Sequence, residues 1–308
     1  MVFFNLYQRI SVGNSINPTA IKLGSRKETM LDKIRDHQEE LSTFSLRPAF
    51  QSRSVTVVIP ALNEEGNLKK LLLNLEEAFQ TLGFNLPVFV IDDGSTDNSP
   101  VILADLSKKY KFLKVIRHPQ RRGVTGVWKT ALAYAKTDWI FWGQADLESD
   151  PRTDLPLLLK ACEPGVDAVA GWRQKRGDGK VLASLVANLT CRLVFGLKIH
   201  DMNWIKLVRR DLLAHLPVEK ITHRYLLAIL AAQGYRIAET PTPWHERYSG
   251  KSKFGKGRLV TSAVDFIKLW WWFKTQGRQL TIGRHQKQMN PRNYAIPYQS
   301  PKSVMNNR

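Results

Sequence analysis

The stretch VTVVIPALNEEGNL, residues 55–68, opens with a run of β-branched and apolar residues and continues into polar ones. A continuous run such as VTVVI is typical of a strand that is buried on both faces of a sheet. Pro60 ends the run, and leucines then recur at helical spacing. The stretch therefore predicts a buried strand, a polar loop that contains Asn63, and an amphipathic helix over residues 64–82.

The same alternation continues along the chain. PVFVIDDGS, LKVIRH and DWIFWGQADLE predict three further strands, and TDNSPVILADLSKKY and GVTGVWKTALAYAKT predict the helices between them. Beyond residue 151, LPLLLKAC predicts a helix, DAVAGWR a strand, and VLASLVANLTCRLVFGL and LVTSAVDFIKLWWWF two more helices. Strands that alternate with helices form parallel sheets with right-handed crossovers. We therefore expect an α/β fold with a mostly parallel central sheet flanked by helices.

The composition points to an anionic partner. The 308 residues include 46 Lys and Arg against 27 Asp and Glu, a net charge of +19, which favours nucleic acid, anionic lipid headgroups or phosphorylated substrates. Because no RRM, KH or zinc pattern occurs, we expect no nucleic-acid partner. The two cysteines have no metal-ligand spacing, which indicates a reducing compartment. No secretory signal stands out, and no apolar run approaches the ~18 residues of a membrane-spanning helix.

Three polar clusters follow predicted strands, at residues 60–65, 92–97 and 145–150. In open α/β sheets, ligands bind at the carboxyl ends of the strands, so these clusters are expected to face one site. One acidic strand end is usually a helix cap, but three at the same edge are harder to explain in that way. Carboxylates can accept hydrogen bonds from ribose hydroxyls or hold a divalent cation that bridges phosphates. Neither a GxGxxG nor a GxxxxGK[ST] motif is present to explain this edge otherwise.

Taken together, VTVVIPALNEEGNL, VFVIDDGSTDNS and FWGQADLESDP resemble the inverting, GT-A-type glycosyltransferases of family 2. Within that family the chain is most similar to the polyprenyl-phosphate sugar transferases, the dolichyl-phosphate mannose synthase group. RYSGKSKFG, residues 247–255, matches the R-x-x-G-x-S-K element of that group. The resemblance implies a GT-A catalytic domain over residues 53–258. An N-terminal extension (1–52) would precede it, and an amphipathic helix (259–273) and a basic flexible tail (274–308) would follow.

The resemblance implies a nucleoside diphosphate sugar, of the GDP-mannose or UDP-glucose type, as donor. Asp92 or Asp93 would contact its base or ribose. The remaining donor-site residues implied by the resemblance are Pro60, Asn63 and Glu64 in the nucleotide pocket, and Arg247, Lys251 and Lys253 at the diphosphate.

The acidic motif of the family, D-x-D followed by a polar residue, corresponds here to Gln144, Asp146 and Glu148. The resemblance implies that these residues hold Mg²⁺ or Mn²⁺ against the diphosphate, with Asp146 essential for catalysis. Gln144 departs from the family pattern, because an amide keeps an oxygen ligand but loses one negative charge. Glu148 restores a charge two residues beyond Asp146.

A polyprenyl phosphate acceptor would explain the basic composition. Its phosphate oxygen is already a nucleophile, so an inverting transfer to it needs positioning and charge neutralisation but no base. The resemblance makes Arg173 the best candidate for holding this phosphate; further candidates are Lys175, Arg176 and Arg192. Asp201 would bind sugar hydroxyls or, with an alcohol acceptor, serve as the base.

A lipid acceptor also implies contact with a membrane. The segments 181–197 and 259–273 have the composition of amphipathic helices that lie in the membrane plane, and with the basic tail they would hold the protein on the anionic cytoplasmic face. The alternative is that both helices pack into the core. Two other functions remain open: a family 2 enzyme with a hydroxyl acceptor (a glycan, glycerolipid or small molecule), and an inactive nucleotide-sugar-binding homologue.

Overall fold

The structure is a computed structural model, and it describes residues 54–174, 181–214, 216, 223–250 and 257–277. Several predicted features lie outside these residues. They are the N-terminal extension 1–52, the loop residues Lys175 and Arg176, Lys251 and Lys253 of the RYSGKSKFG stretch, and the basic tail beyond residue 277.

Seven strands of the described chain form one mixed sheet in the order β3-β2-β1-β4-β6-β5-β7. The strands are β1 Val55–Ala61, β2 Val88–Asp92, β3 Leu113–Arg117, β4 Trp139–Trp142, β5 Ala168–Gln174, β6 Lys206–Arg209 and β7 Ile237–Pro243. Strands β1 to β4 pair in parallel, as do β5 and β7, whereas β6 runs antiparallel to both β4 and β5. The predicted α/β fold with a mostly parallel sheet is confirmed.

Helices separate most of these strands. They are α1 Leu68–Leu82, α2 Ser99–Lys109, α3 Gly123–Tyr134, α4 Pro151–Ala161, α5 Val181–Phe195, α6 Arg210–Ala214, α7 Leu226–Ala232 and α8 Gly257–Trp272. A π-helical turn, Phe273–Gly277, continues α8. No helix in the described part of the chain is long and apolar enough to cross a membrane.

The amphipathic pattern of α1 is confirmed by its packing. Its leucines at positions 68, 71, 72 and 75 are completely buried, and Phe79 is nearly so. The helix ends at Gly83, whose positive φ of 76° lets its N–H bond back to the carbonyl of Phe79 at 2.9 Å. A residue with a side chain adopts that conformation only at a cost.

Several predicted boundaries differ from the structure, and two of them concern the polar loops. The first helix begins at Leu68 rather than Glu64, because Asn63 has a positive φ of 54° and the Glu64 N–H bonds to Ser99 Oγ at 2.9 Å. The fourth strand ends at Trp142 rather than at residue 148, because the backbone turns and Leu147 has a positive φ of 60°. Both differences free polar residues from regular structure at the carboxyl edge of the sheet.

The register brings the predicted polar clusters together. Ala61 at the end of β1 lies opposite Asp92 at the end of β2, and Val58 lies opposite Trp142 at the end of β4. The loops that follow β1, β2 and β4 therefore leave the sheet side by side, at the edge where open α/β proteins bind ligands.

Candidate active site

A cleft of about 260 Å³ lies at the carboxyl edge of the sheet. Asp93, Asp146 and Arg247, from three distant parts of the chain, all line it, as the sequence predicts. Pro60 and Glu64 also contribute to its wall, and its apolar part consists of Ala61, Leu62, Val124 and Val127. The cleft therefore combines an apolar wall with a carboxylate and guanidinium floor.

The two consecutive aspartates after β2 have different surroundings. Asp92 is fully buried, accepts a hydrogen bond from the N–H of Ser95 at 2.9 Å, and lies 3.4 Å from Nε of Arg117. It is not among the described residues that line the cleft, whereas Asp93 is. Of the two residues predicted to contact the base or ribose, only Asp93 lines the cleft.

Asp93 is held firmly at the start of α3. Its carboxylate accepts hydrogen bonds from the backbone N–H groups of Arg122 and Gly123, each at 2.8 Å. Nδ1 of His118 lies 2.8 Å from the same carboxylate, and Nε2 of His118 lies 2.7 Å from Oγ1 of Thr130. The helix N-terminus favours a negative charge here, so Asp93 is preorganised to face the cleft.

The sequence singled out neither His118 nor Arg121, although His118 touches Asp93 and Arg121 lines the cleft. Their position in the sequence could have indicated them, because both lie in the loop that follows β3, at the edge where the other polar clusters lie. Gly94, between them and β2, has a positive φ of 78°, and a Cβ there would lie 2.7 Å from the backbone N of Arg121. This close approach requires glycine.

The predicted pocket residue Asn63 has a structural task. Its N–H bonds to Ser95 Oγ at 2.9 Å, and its side-chain oxygen accepts from the N–H of Thr96 at 2.8 Å. The side chain is exposed and is absent from the described residues that line the cleft. Asn63 thus joins the loops after β1 and β2, and its place in the nucleotide pocket stays a prediction.

The acidic motif after β4 is bridged by Arg247. Nη2 of Arg247 lies 2.7 Å from Oδ2 of Asp146, and Nε lies 2.8 Å from Oε1 of Glu148. Leu147, between the two acids, has the strained positive φ of 60°. The carboxylates on either side of Leu147 both contact one guanidinium. Residues two apart in a regular strand also point to the same side, so the turn at Leu147 is not required for this contact.

The charges of Asp146, Glu148 and Arg247 shift the pKa values of Asp146 and Arg247. Burial and the neighbouring carboxylate of Glu148 raise the pKa of Asp146 from 3.8 to about 6, although Arg247 opposes the rise. Burial alone would lower the pKa of Arg247, but the charges of Asp146 and Glu148 outweigh it and raise that pKa. Two carboxylates therefore share one guanidinium, so the ionised cluster has a net negative charge.

The donor atoms suit Mg²⁺ or Mn²⁺, which prefer oxygen ligands. Asp146 and Glu148 supply carboxylates, and Oε1 of Gln144 is a buried oxygen without a hydrogen-bond partner. Within the described residues, no group of three or more His, Cys, Asp or Glu side chains could hold a metal by itself. Mg²⁺ typically uses one or two carboxylates and completes its shell with substrate phosphates and water, which fits this set.

A second charged cluster lies at the same edge, beyond β6. Arg173 at the end of β5 donates from Nε and Nη2 to the two carboxylate oxygens of Asp201, at 2.5 and 2.9 Å. The guanidinium also lies 4.7 Å from the ring centre of Trp204. Two of the predicted acceptor-side residues, Arg173 and Asp201, are therefore ion-paired with each other, and neither lines the cleft described above.

Lys206 completes this cluster and was not predicted. It is only 2% exposed, and burial lowers its pKa from 10.5 to about 8, with Asp201 opposing and Arg173 adding to the decrease. Trp204 is buried and donates from Nε1 to Oγ1 of Thr242 at 3.1 Å. Trp204 thus supports the floor of the cluster rather than facing solvent.

The comparisons with known proteins agree with this architecture. A family model for glycosyl transferase family 2 matches residues 56–216, just over half of the chain. The chain therefore belongs to glycosyl transferase family 2. A dodecaprenyl-phosphate galacturonate synthase of Rhizobium johnstonii is 25% identical over 236 residues, which cover 74% of this chain and 70% of that protein.

Similar solved structures include glucosyl-3-phosphoglycerate synthase from Mycobacterium tuberculosis in two complexes. The complex with Mn²⁺ and UDP-glucose has a TM-score of 0.56 at 20% identity, and covers 71% of this chain and 79% of that one. The complex with Mg²⁺ and UDP has a TM-score of 0.51 at 20% identity, and covers 67% and 75%. The predicted family and the GT-A fold class are confirmed.

Proposed function

We propose that this family 2 glycosyltransferase moves a hexose from a nucleoside diphosphate sugar to a polyprenyl phosphate, with inversion at the anomeric carbon. The observation that carries the proposal is the cleft in which Asp93, Asp146 and Arg247 meet. The resemblance to a dodecaprenyl-phosphate galacturonate synthase supports a lipid phosphate as the acceptor class.

In this proposal the nucleoside lies along the apolar wall, with Asp93 accepting from its base or ribose. The diphosphate lies over Asp146 and Glu148, where Arg247 and Arg121 supply positive charge. A bound Mg²⁺ or Mn²⁺ would supply Lewis-acid neutralisation of the leaving diphosphate. Arg121 and Arg247 add charge-assisted hydrogen bonds to the same phosphate oxygens.

The acceptor phosphate approaches from the side of Arg173. Its oxygen forms a bond to the anomeric carbon while the bond from that carbon to the diphosphate oxygen breaks, and the electron pair leaves with the nucleoside diphosphate. No proton is transferred, so no base is required. Arg173 donates to Asp201 through Nε and Nη2, and its Nη1 is a further donor for phosphate.

The hydroxyl-acceptor alternative needs a base, and Asp201 was its candidate. Both carboxylate oxygens of Asp201 accept hydrogen bonds from Arg173, so a base role requires this pair to break. A third complex of glucosyl-3-phosphoglycerate synthase, with Mn²⁺, UDP and glucosyl-3-phosphoglycerate, has a TM-score of 0.53 to this chain, so the same fold also occurs with a sugar-bearing molecule that is not a lipid. A second candidate function is therefore transfer to a hydroxyl group.

Membrane attachment is part of the proposal. Seven large apolar side chains are exposed on two helices and define the α5–α8 surface: Leu189, Leu193, Val194, Val264, Ile267, Trp270 and Trp271. Ring contacts of Phe195 with Phe266 and Phe273 hold these two helices together. Exposed Arg192, Lys268 and Lys274 accompany the apolar side chains. This composition suits the headgroup region of an anionic, cytoplasmic-facing leaflet.

A transfer assay tests the proposal. Labelled UDP-glucose, GDP-mannose and UDP-galacturonate are each incubated with undecaprenyl or dolichyl phosphate and Mn²⁺, and label is counted in the lipid phase. We expect one donor to label the phosphate lipid, chelation of the metal to stop the reaction, and Asp146→Asn to lower the rate at least ~100-fold. Asp105→Asn, at an exposed acid of α2, is the matched control.

Each other result has a distinct meaning. Transfer to a neutral lipid or a soluble alcohol instead would establish the hydroxyl-acceptor alternative. Tight UDP or GDP binding without transfer from any donor would identify an inactive nucleotide-sugar-binding homologue. Full activity of Asp146→Asn would show that the acidic motif is not the metal and diphosphate site.

A further inference from the structure

Arg247 occupies the oxygens that a divalent cation needs. Its Nη2 and Nε contact Asp146 at 2.7 Å and Glu148 at 2.8 Å, and the three side chains are only 15–20% exposed. The guanidinium therefore neutralises two neighbouring carboxylates in a partly desolvated site. A divalent cation bound to the same oxygens would lie beside a like charge, which is unfavourable at such short range.

The backbone around Arg247 is anchored on both sides. The N–H of His245 donates to the carbonyl of Glu148 at 3.0 Å, and Nδ2 of Asn67 donates to the carbonyl of Ser249 at 3.3 Å. The guanidinium can therefore leave the acids by rotation of its own side chain, without movement of the loop. It already lines the cleft, so a diphosphate bound there lies within its reach.

We propose that Arg247 is an exchangeable counter-ion: it neutralises Asp146 and Glu148 in the empty enzyme and transfers to the donor diphosphate when a divalent cation takes its place. This inference rests on the proposed function, because it assigns the diphosphate and the cation to the cleft. It goes further by making the binding of metal and nucleotide interdependent through one side chain.

The exchange has a thermodynamic consequence. Metal alone must displace Arg247 and leave it without a partner, whereas metal with a diphosphate gives Arg247 a new one. Each ligand therefore raises the affinity for the other by the same factor. Removing the guanidinium should strengthen the binding of metal alone and reduce this mutual enhancement.

The test measures metal binding rather than turnover. Mn²⁺ affinity is determined from the electron paramagnetic resonance signal of free Mn²⁺, with and without UDP or GDP, for the wild-type protein and Arg247→Gln. We expect Arg247→Gln to bind Mn²⁺ alone about tenfold more tightly than the wild type, and to show at least a fivefold smaller enhancement by nucleotide. Arg247→Lys, with one point charge, should lie between the two.

Arg152 offers a matched control. It also bridges two carboxylates, Asp150 at 2.6 Å and Glu77 at 3.1 Å, but it does not line the cleft. Arg152→Gln should leave Mn²⁺ affinity unchanged. Thermal unfolding of each variant checks that the protein remains folded.

The outcomes separate this inference from the proposed function. Equal or weaker Mn²⁺ binding by Arg247→Gln without nucleotide would overturn the counter-ion role, even if sugar transfer occurs. Nucleotide that binds neither protein would contradict the donor site, whereas the comparison of Mn²⁺ affinity without nucleotide would still decide the role of Arg247.

Discussion

Asp154 is a fully buried carboxyl group in α4 whose Oδ2 has no hydrogen-bond partner. Burial raises its pKa from 3.8 to about 8, so the folded protein keeps a proton that the unfolded chain releases between these values. The contribution to stability is therefore complete below pH 3.8 and is lost as pH rises toward 8. For Asp154→Asn we expect the free energy of unfolding to change less with pH than in the wild type, by on the order of 6 kcal/mol over this window.

Urea denaturation at a series of pH values measures this effect. Asp105→Asn, which changes an exposed acid of α2 that pairs with Lys108, is the control and should keep the wild-type slope. If Asp154→Asn kept the wild-type slope as well, the carboxyl group would have to be ionised in the folded protein at neutral pH.

Asp201 is expected to stabilise the fold as well as to position Arg173. It is 5% exposed, and both Arg173 and Lys206 rely on its charge. Asp201→Ala leaves these two cations uncompensated, so we expect the free energy of unfolding to fall by about 3 kcal/mol. Urea denaturation measures it, with Asp105→Ala as the exposed control.

A double variant separates charge balance from packing. Arg173→Met together with Asp201→Ala removes an opposite pair and should cost less than Asp201→Ala alone. If the loss in the free energy of unfolding of the double variant equalled the sum of the losses of the two single variants, the ion pair would contribute nothing to stability. The contact between Arg173 and Asp201 would then matter for substrate alone.

At the scale of the elements, helix α4 depends on its N-cap residue, Asp150. Asp150 accepts from the backbone N–H of Arg152 at 3.0 Å, pairs with the Arg152 guanidinium, and accepts from Asn74 of α1 at 3.2 Å. Burial would raise the pKa of Asp150, but the hydrogen bonds from Arg152 lower it. We expect Asp150→Ala to reduce the free energy of unfolding by about 2 kcal/mol, measured by urea denaturation. Asp150→Ser, which can still cap, should lose less than half as much.

The sequence predicts the strands whose residues are all buried. VTVVI, VFVID and WIFW are buried along their whole length, so continuous apolar runs identified β1, β2 and β4. The short strand β6 begins with the buried Lys206, and β7 has the sequence IAETPTP. No local pattern predicts either strand. A buried lysine at the start of β6 requires the charge of Asp201, and prolines such as the two in β7 are depleted in strands.

The candidate site was predictable to the level of its loops but not of its contacts. The acidic clusters indicated the correct edge of the sheet because parallel strands place their carboxyl ends together. Two contacts of the site depend on backbone turns and on residues that are far apart in the sequence. They are the hydrogen bond between Asn63 and Thr96, about 30 positions apart, and the ion pair between Arg247 and Asp146, about 100 positions apart. Such pairings follow from the completed fold and not from local propensity.

At the scale of the whole molecule, the net positive charge and the exposed apolar side chains both favour contact with an anionic membrane surface. The net charge of +19 includes seven Lys or Arg and no acid after residue 273. Asp265 of α8 lies 3.5 Å from Arg224, so this acid is paired. We therefore expect an anionic bilayer to meet the exposed apolar side chains of α5 and α8 together with the exposed cations Arg192, Lys268 and Lys274.

Vesicle binding should depend on this surface. In a co-sedimentation assay with anionic vesicles, we expect the double change Ile267→Ser and Trp271→Ser to weaken binding at least tenfold, because each exposed apolar side chain contributes about 1.5–3 kcal/mol when buried. Val101→Ser is the matched control, since Val101 on α2 is 64% exposed and Ile267 is 63% exposed. Neutral vesicles or high salt should weaken binding of all proteins, by about 1 kcal/mol for each Lys or Arg near the surface.

Removal of residues 278–308 isolates the electrostatic part of this attachment. The shortened protein should keep the effect of Ile267→Ser and Trp271→Ser but lose part of its salt dependence, because six Lys and Arg residues are removed with the tail. If the serine substitutions left vesicle binding unchanged while tail removal abolished it, the helices would not insert, and attachment would be electrostatic alone. The acceptor phosphate would then have to reach Arg173 without α5 and α8 entering the headgroup region.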